Sequence, residues 1–493
     1  MRNKFVNIVR QLFVVVLSII MTGSVLASEN IASAARDANW DQVQSFLQQG
    51  EDVNTPLNDG STALIWTTYH DNLGMIQRLL DAGANVNTYN RYGISALYNA
   101  ALNASSEAVA LLVDHGADIG ATQRSGETPL MTAVYTGDVE VVRTLIQYGA
   151  DVNQAESFLG QTPLMWAASK NYYDIVELLL ENGAEVDTQS RRVAYDGTEG
   201  DDIPRNMPAG GMTALLFASR DGAYESVELL LNYGANPNIR NYDEFPAMNL
   251  AILNQHYDIT ELLYDYGADP NLADAYNRTP LFAAVWMRRN PYSTRPYHLV
   301  HNENTVTDVV HLLLSYPVID VDKGLTGTVP RRGSLDTTDR TLGNGGSPLM
   351  WVIRTGDMEM FDILLEAGAD PFKMTTDGVT TLMIASGTGW GRDDDFKIPV
   401  TLEESLAMTQ RLIDMGLDVN ARDNNGRTAL HGALPKGDLA AVRALIEAGA
   451  DVCLADNDGK IPLQAALTED YIEEPVKQLI GELTLQAGCE YQL

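Results

Sequence analysis

The chain has 493 residues, with 33 basic and 66 acidic side chains and a formal charge of −33. Such an excess of carboxylates works against binding nucleic acid or anionic lipid, both of which need a basic surface. It favours cationic partners, or serves solubility alone. Length by itself suggests about three globular domains.

Residues 1–27 read as a signal peptide. The start is basic (Arg2, Lys4, Arg10), an apolar run extends from Leu12 to Met21, and Val25-Leu26-Ala27 offers small residues to a signal peptidase. The run is short for a membrane span and no second stretch of spanning length follows. Cleavage is expected after Ala27, leaving 30 basic and 66 acidic residues, near −36. The alternative is an uncleaved anchor. No cysteine sits at the cleavage point, which argues against a lipoprotein anchor.

Residues 31–59 read as a capping unit. Ala34, Ala35, Trp40, Val43, Phe46 and Leu47 form one apolar face and polar residues cover the other. Units then begin near 60, 93 and 126, and the one at Gly126–Asn153 shows the design most plainly. Thr128 is placed to cap a short helix and Pro129 to occupy its first position, where a missing N–H has no partner to lose. Leu130 and Ala133 lie on one face of that helix. Gly137 suits the left-handed turn that ends it. Asp138 caps a second helix with the apolar stripe Val141, Val142, Leu145 and Ile146, and Gly149 ends that one.

The same pattern recurs at Gly160, Gly211, Glu244, Asn277, Gly345, Gly378, Gly426 and Gly459. From Gly60 onward the spacings are 33, 33, 34, 51, 33, 33, 68, 33, 48 and 33. This resembles the ankyrin repeat, a β-hairpin followed by two antiparallel helices with a period of roughly 33 residues. The resemblance implies an all-α solenoid of about twelve units including caps, and it overrides the length-based domain estimate. Residues 28–493 are expected to form one such array.

Insertions fall at about 190–210, 289–304, 320–344 and 387–401. The first and third lengthen hairpins, and the other two separate the helices of a unit. They are either binding elements or neutral surface loops, which cost little closure entropy. The run GGMTALLFASRDG through NQHYDITELLYDYGADPNLADAYNRTPLFAAV is similar to exported bacterial ankyrin proteins that carry insertions at comparable places. That likeness implies a bacterial origin and a periplasmic address. Residues 459–493 form the expected C-terminal cap, with polar helix faces (Thr468-Glu469-Asp470, Glu473-Glu474, Lys477-Gln478) and Pro475 opening its second helix. Cys453 and Cys489 are either a disulfide over this cap or two free thiols.

Enzyme signatures are missing: there is no GxSxG, P-loop, strand-to-helix GxGxxG, HExxH or CxxCH. No catalytic residue, metal or cofactor is assigned. His431 follows Thr428-Ala429-Leu430, where ankyrin units carry a structural histidine. His298, His301 and Glu303, with His311 nearby, read as a solvated loop or as zinc ligands. Asp393-Asp394-Asp395 with Glu403 and Glu404 read as a solvated acidic tip or as a calcium loop lacking the usual glycine. Trp66, Trp166 and Trp351 share one register and are expected in the core between stacked units.

Another register is more informative. Where the first helix reaches the inner face, the chain carries Tyr69, Leu102, Tyr135, Ser169, Arg220, Leu253, Trp286, Arg354 and Pro435. Large rigid side chains at a position that is usually polar are what an interface centre uses. Finger loops of the earlier units add Tyr89, Tyr92, Phe158, Tyr242, Phe245 and Tyr276, whereas Thr375-Thr376-Asp377, Asp423-Asn424-Asn425 and Asp456-Asn457-Asp458 are plain turns. The alternative is that these tyrosines pack finger to finger. The sequence therefore predicts a monomeric, non-catalytic scaffold for a protein or peptide. Its binding residues would be Tyr69, Tyr89, Tyr92, Leu102, Tyr135, Arg220, Tyr242, Leu253, Tyr276 and Trp286. The competing expectation is a small-molecule or metal-binding accessory protein with its site under the insertions.

Overall fold

The computed structural model describes residues 30–192, 210–289, 302–326, 342, 344–387, 400–436, 438–467, 478, 481–482 and 484–489. The expected signal peptide at 1–27, most of each insertion, His298, His301, Asp393-Asp394-Asp395 and much of the expected terminal cap lie outside these residues. Two compact units are distinguished, Met1–Asp151 and Val152–Leu493.

Each unit is a succession of paired helices. In the first, the leading helices Ile31–Arg36, Ala63–Tyr69, Ala96–Leu102 and Pro129–Thr136 pack in series, each followed by a second helix. In the other, Pro163–Ser169, Ala214–Asp221, Ala247–Leu253, Pro280–Arg288, Pro348–Thr355, Thr381–Ser386, Ala429–Lys436 and Pro462–Leu467 continue the pattern. Short helices of this length are marginal alone, so stacking has to supply their stability. It does so through one leucine register: Leu64, Leu97, Leu130, Leu164, Leu215, Leu281, Leu349, Leu382 and Leu430 are all essentially inaccessible to solvent. Full burial of such a side chain contributes about 1.5–3 kcal/mol relative to exposure.

Capping follows the sequence. Thr128 Oγ1 accepts from the Met131 amide at 3.2 Å and Pro129 occupies the first turn. Asp138 Oδ1 accepts from Glu140 and Val141, both at 3.1 Å. Ser95, Thr162, Thr213, Thr279, Ser347 and Thr380 cap in the same manner. Pro246, without a side-chain acceptor, and Thr62, whose hydroxyl makes no cap bond, are departures.

All eleven register positions from Gly60 to Gly459 have positive φ, including Glu244 at 61° and Asn277 at 60°. Only glycine adopts that conformation without steric cost, which explains nine glycines among the eleven. The hairpins are tighter than a β-ladder. Among the described residues they appear as turns with isolated bridges at Arg240–Pro246 and Met374–Thr380, and no strand forms. Single backbone bonds join successive fingers, such as Arg91 N–H to Asp59 O at 2.7 Å and Asn424 N–H to Asp377 O at 2.9 Å.

In most repeats a side-chain rung links the base to that of the next. Asn87 Nδ2 donates to Gly116 O at 2.9 Å, while its Oδ1 accepts from the Asp118 amide at 2.8 Å. Asn54, Asn153, Asn238, Asn271 and Asn420 repeat this pair of bonds. The same position is Gly120 in the third step, Phe372 in the repeat of Gly345, and Cys453 near the end. Cys453 is disulfide-bonded to Cys489 with Cα atoms 5.4 Å apart. The last rung is thus covalent.

Two of the three tryptophans depart from the core expectation. Trp351 is buried, but Trp66 and Trp166 are only half-buried. They lie two residues beyond the core leucine, about 200° around the helix and so nearly opposite it. Trp166 Nε1 accordingly reaches Gln161 Oε1 at 2.8 Å.

Candidate binding surfaces

The inner register divides into an exposed part and a packed part. Tyr69, Leu102 and Tyr135 are 37 %, 42 % and 59 % exposed and occupy equivalent places on three adjacent leading helices. Helix propensity does not require such side chains there, and their exposed apolar area gains nothing in the unbound chain. An aromatic chain that sequence reading missed extends this row. Trp66 meets Tyr69 edge to face at 5.6 Å, Tyr69 meets His70 at 5.2 Å, and His70 meets Trp40 of the capping unit at 5.7 Å. His70 Nε2 lies 3.0 Å from Arg36 O, which orients its ring. The available signal was the pairing of Tyr69-His70 with a tryptophan one repeat earlier.

In the second unit the register is not a free row. Leu253 is only 7 % exposed and belongs to the core. Arg220 is half-buried, bound to Asp221 by two bonds of 2.9 and 2.8 Å and stacked 4.9 Å from the Phe217 ring. Trp286 is half-buried as well, edge to face with Trp351 at 6.1 Å and beneath the Arg278 guanidinium at 4.9 Å. Arg278 itself is buried in a pair with Asp274 at 2.8 Å. The Trp286–Trp351 contact joins one repeat to its neighbour, whereas Arg220 is held within its own helix.

The fingers show the same division. Tyr89, Tyr92, Phe158 and Tyr242 are exposed, whereas Tyr276 is half-buried and its carbonyl accepts from the Thr326 amide at 2.9 Å. Arg91 stacks on Tyr92 at 4.8 Å. Among the described residues, no cluster of three or more His, Cys, Asp or Glu is placed to hold a metal ion. His431 is buried, with Nδ1 3.0 Å from the Thr428 amide and Nε2 3.1 Å from Lys460 O. Burial pushes its pKa below the usual 6.5. It is a structural residue.

A family model described as ankyrin repeats (3 copies) matches residues 31–123, 121–190, 199–274, 215–293 and 400–489. The chain belongs to the ankyrin-repeat family. Further models for ankyrin repeats match residues 164–231 and 344–376. Among solved structures, the human ASB11 ankyrin repeat domain is 24 % identical with a TM-score of 0.41, covering 49 % of this chain and 99 % of that one. Comparison with curated proteins finds no match. Ankyrin repeats act in general as protein-binding scaffolds. None of its described helices is long and apolar enough to cross a membrane.

Proposed function

We propose that this ankyrin-repeat protein is a non-catalytic scaffold that binds a protein or peptide partner in the bacterial periplasm. The row Tyr69, Leu102 and Tyr135 supplies the anchors and Tyr89 and Tyr92 extend it at the fingers. The observation that carries the reading is the alignment of three large exposed side chains on adjacent helices of one compact unit. Rigid side chains of this kind lose little entropy on binding and dominate interface energies. The periplasmic address rests on the basic start, apolar run and small residues of 1–27.

Photo-crosslinking in periplasm with a probe beside Leu102 captures the partner for mass spectrometry. A Leu102→Ala, Tyr135→Ala variant is expected to stay folded by circular dichroism and lose that partner, because an anchor contributes at least about 2 kcal/mol, roughly thirty-fold in affinity. Changing Asn424 and Asn457 is the matched control. Retention of the partner by the double variant with loss in the control would place the interface elsewhere. N-terminal sequencing of the mature protein should read from Ser28; soluble chain beginning at Met1 would refute export.

A further inference from the structure

Three second helices of the larger unit repeat one surface pattern. Tyr173–Glu181 reads YDIVELLLE, Tyr224–Asn232 reads YESVELLLN and Tyr257–Asp265 reads YDITELLYD. They pack side by side, burying Ile175, Val227, Ile259 and their neighbours inward. Outward, each begins with a tyrosine, continues with an acid and carries a glutamate four residues after the tyrosine. No lysine or arginine occurs on any of the three.

Part of this face is already occupied. Asp258 accepts from the amides of Glu303 and Asn304 at 2.9 and 2.8 Å, and Glu261 accepts from Asn304 Nδ2 at 2.6 Å. Tyr257 is half-buried. Glu225 accepts from Asn171 Nδ2 at 2.5 Å, whereas Tyr173 and Tyr224 are 40 % and 39 % exposed, and Asp174, Glu177 and Glu228 have no hydrogen-bond or ion partner among the described residues. Glu177, then burial and Glu228, hold the Tyr173 hydroxyl above its usual pKa. For Tyr224, burial leads and Glu228 adds to it.

We propose that this outer face docks an extended cationic segment of a protein partner, its arginine or lysine side chains stacking on Tyr173 and Tyr224 and pairing with Glu177 and Glu228. Aromatic faces attract cations electrostatically, and adjacent carboxylates without a cation of their own complete the match. Arginine suits both, since its planar guanidinium stacks and forks. Packed helices lie about 8–10 Å apart. An extended chain advances roughly 3.3 Å per residue, so a basic residue at about every third position meets successive helices. The face is distinct from the inner row, and its test stands alone.

The probe is a fluorescein-labelled nonapeptide of three Arg-Gly-Ser repeats, titrated by anisotropy against the full mature chain at low and physiological salt. A Tyr173→Ala, Tyr224→Ala variant is expected to bind about five- to thirty-fold more weakly, and the Tyr173→Phe, Tyr224→Phe variant as tightly as the parent, because phenylalanine keeps the ring face. Glu177→Gln, Glu228→Gln should weaken binding and flatten its salt dependence. Glu366→Gln, Glu447→Gln removes the same charge elsewhere and should change little. The assignment is overturned if the peptide does not bind, if this last pair weakens binding as much as Glu177→Gln, Glu228→Gln, or if the alanine pair binds like the parent. Should the alanine pair fail to fold, the two glutamine pairs decide.

Discussion

Gly120 stands where six other repeats place the rung asparagine, and replacing it tests what a rung contributes. Its Cβ position meets only Asp118 Oδ1, at 3.6 Å, which is ordinary contact, and its φ is not in the left-handed region. Asp118 Oδ1 already accepts from the Gly120 amide at 3.0 Å, the same local turn that presents Asn87 through Asn85. By that equivalence a Gly120→Asn side chain would donate to Gly149 O and accept from the Asp151 amide. Each net bond is worth about 0.5–1.5 kcal/mol, and the low end applies to exposed groups. Replacing glycine at a compatible φ adds about 0.4–1 kcal/mol by narrowing the unfolded ensemble. The expected gain is therefore ~1–2 kcal/mol, read as a higher urea midpoint and slower hydrogen exchange at the Asp151 amide. The reverse change, Asn87→Gly, should lose a similar amount. If Asn87→Gly destabilises while Gly120→Asn alters neither midpoint nor exchange, the rung is not a transferable element and the reasoning fails.

Leu130→Ala should cost about 2–5 kcal/mol through the cavity left between stacked helices, with lost exchange protection centred on the neighbouring repeats; uniform loss across the chain would contradict nearest-neighbour coupling. Burial holds His431 neutral, so the stability it contributes is complete above its ordinary pKa of 6.5 and falls as acidification carries the pH toward the lower folded value. The urea midpoint of the C-terminal repeats should drop between about pH 7.5 and 5.5, and His431→Gln should flatten that slope; an unchanged slope would exclude His431 as its source. Thiol titration under denaturing, non-reducing conditions should find no reactive sulfur. Reduction should cost the terminal repeats up to ~4 kcal/mol from reopening the loop between Cys453 and Cys489, 36 residues apart. Two thiols per chain would remove that bridge.

Sequence reading succeeded where one residue type can meet one backbone demand. Left-handed turns ask for glycine, helix starts for Thr or Ser, and buried stripes for Leu and Ala, so Gly126, Thr128 and Leu130 announce the repeat. It was less informative where exposure depends on a neighbour. Leu102 and Leu253 hold the same register, yet Leu102 is exposed and Leu253 lies in the core. Arg220 reads as a surface cation until Asp221 and Phe217 are seen to enclose it. The aromatic chain from Trp40 to Trp66 was hidden for the same reason, because it joins residues of two repeats whose relative rotation a linear pattern does not contain.

The rungs carry a consequence for how such a chain acquires its structure as it emerges. An ordinary rung closes between residues 31 apart, as from Asn87 to Asp118, so a repeat can lock as soon as its successor is available. Across an insertion the same bond closes between Asn271 and Asp320, 49 apart. Loop-closure entropy grows as the logarithm of length, which makes the longer closure only ~0.4 kcal/mol costlier. A chain delivered from its N-terminus would zip at nearly even steps, with its insertions scarcely delaying it, and segments can be added to this array at almost no thermodynamic penalty.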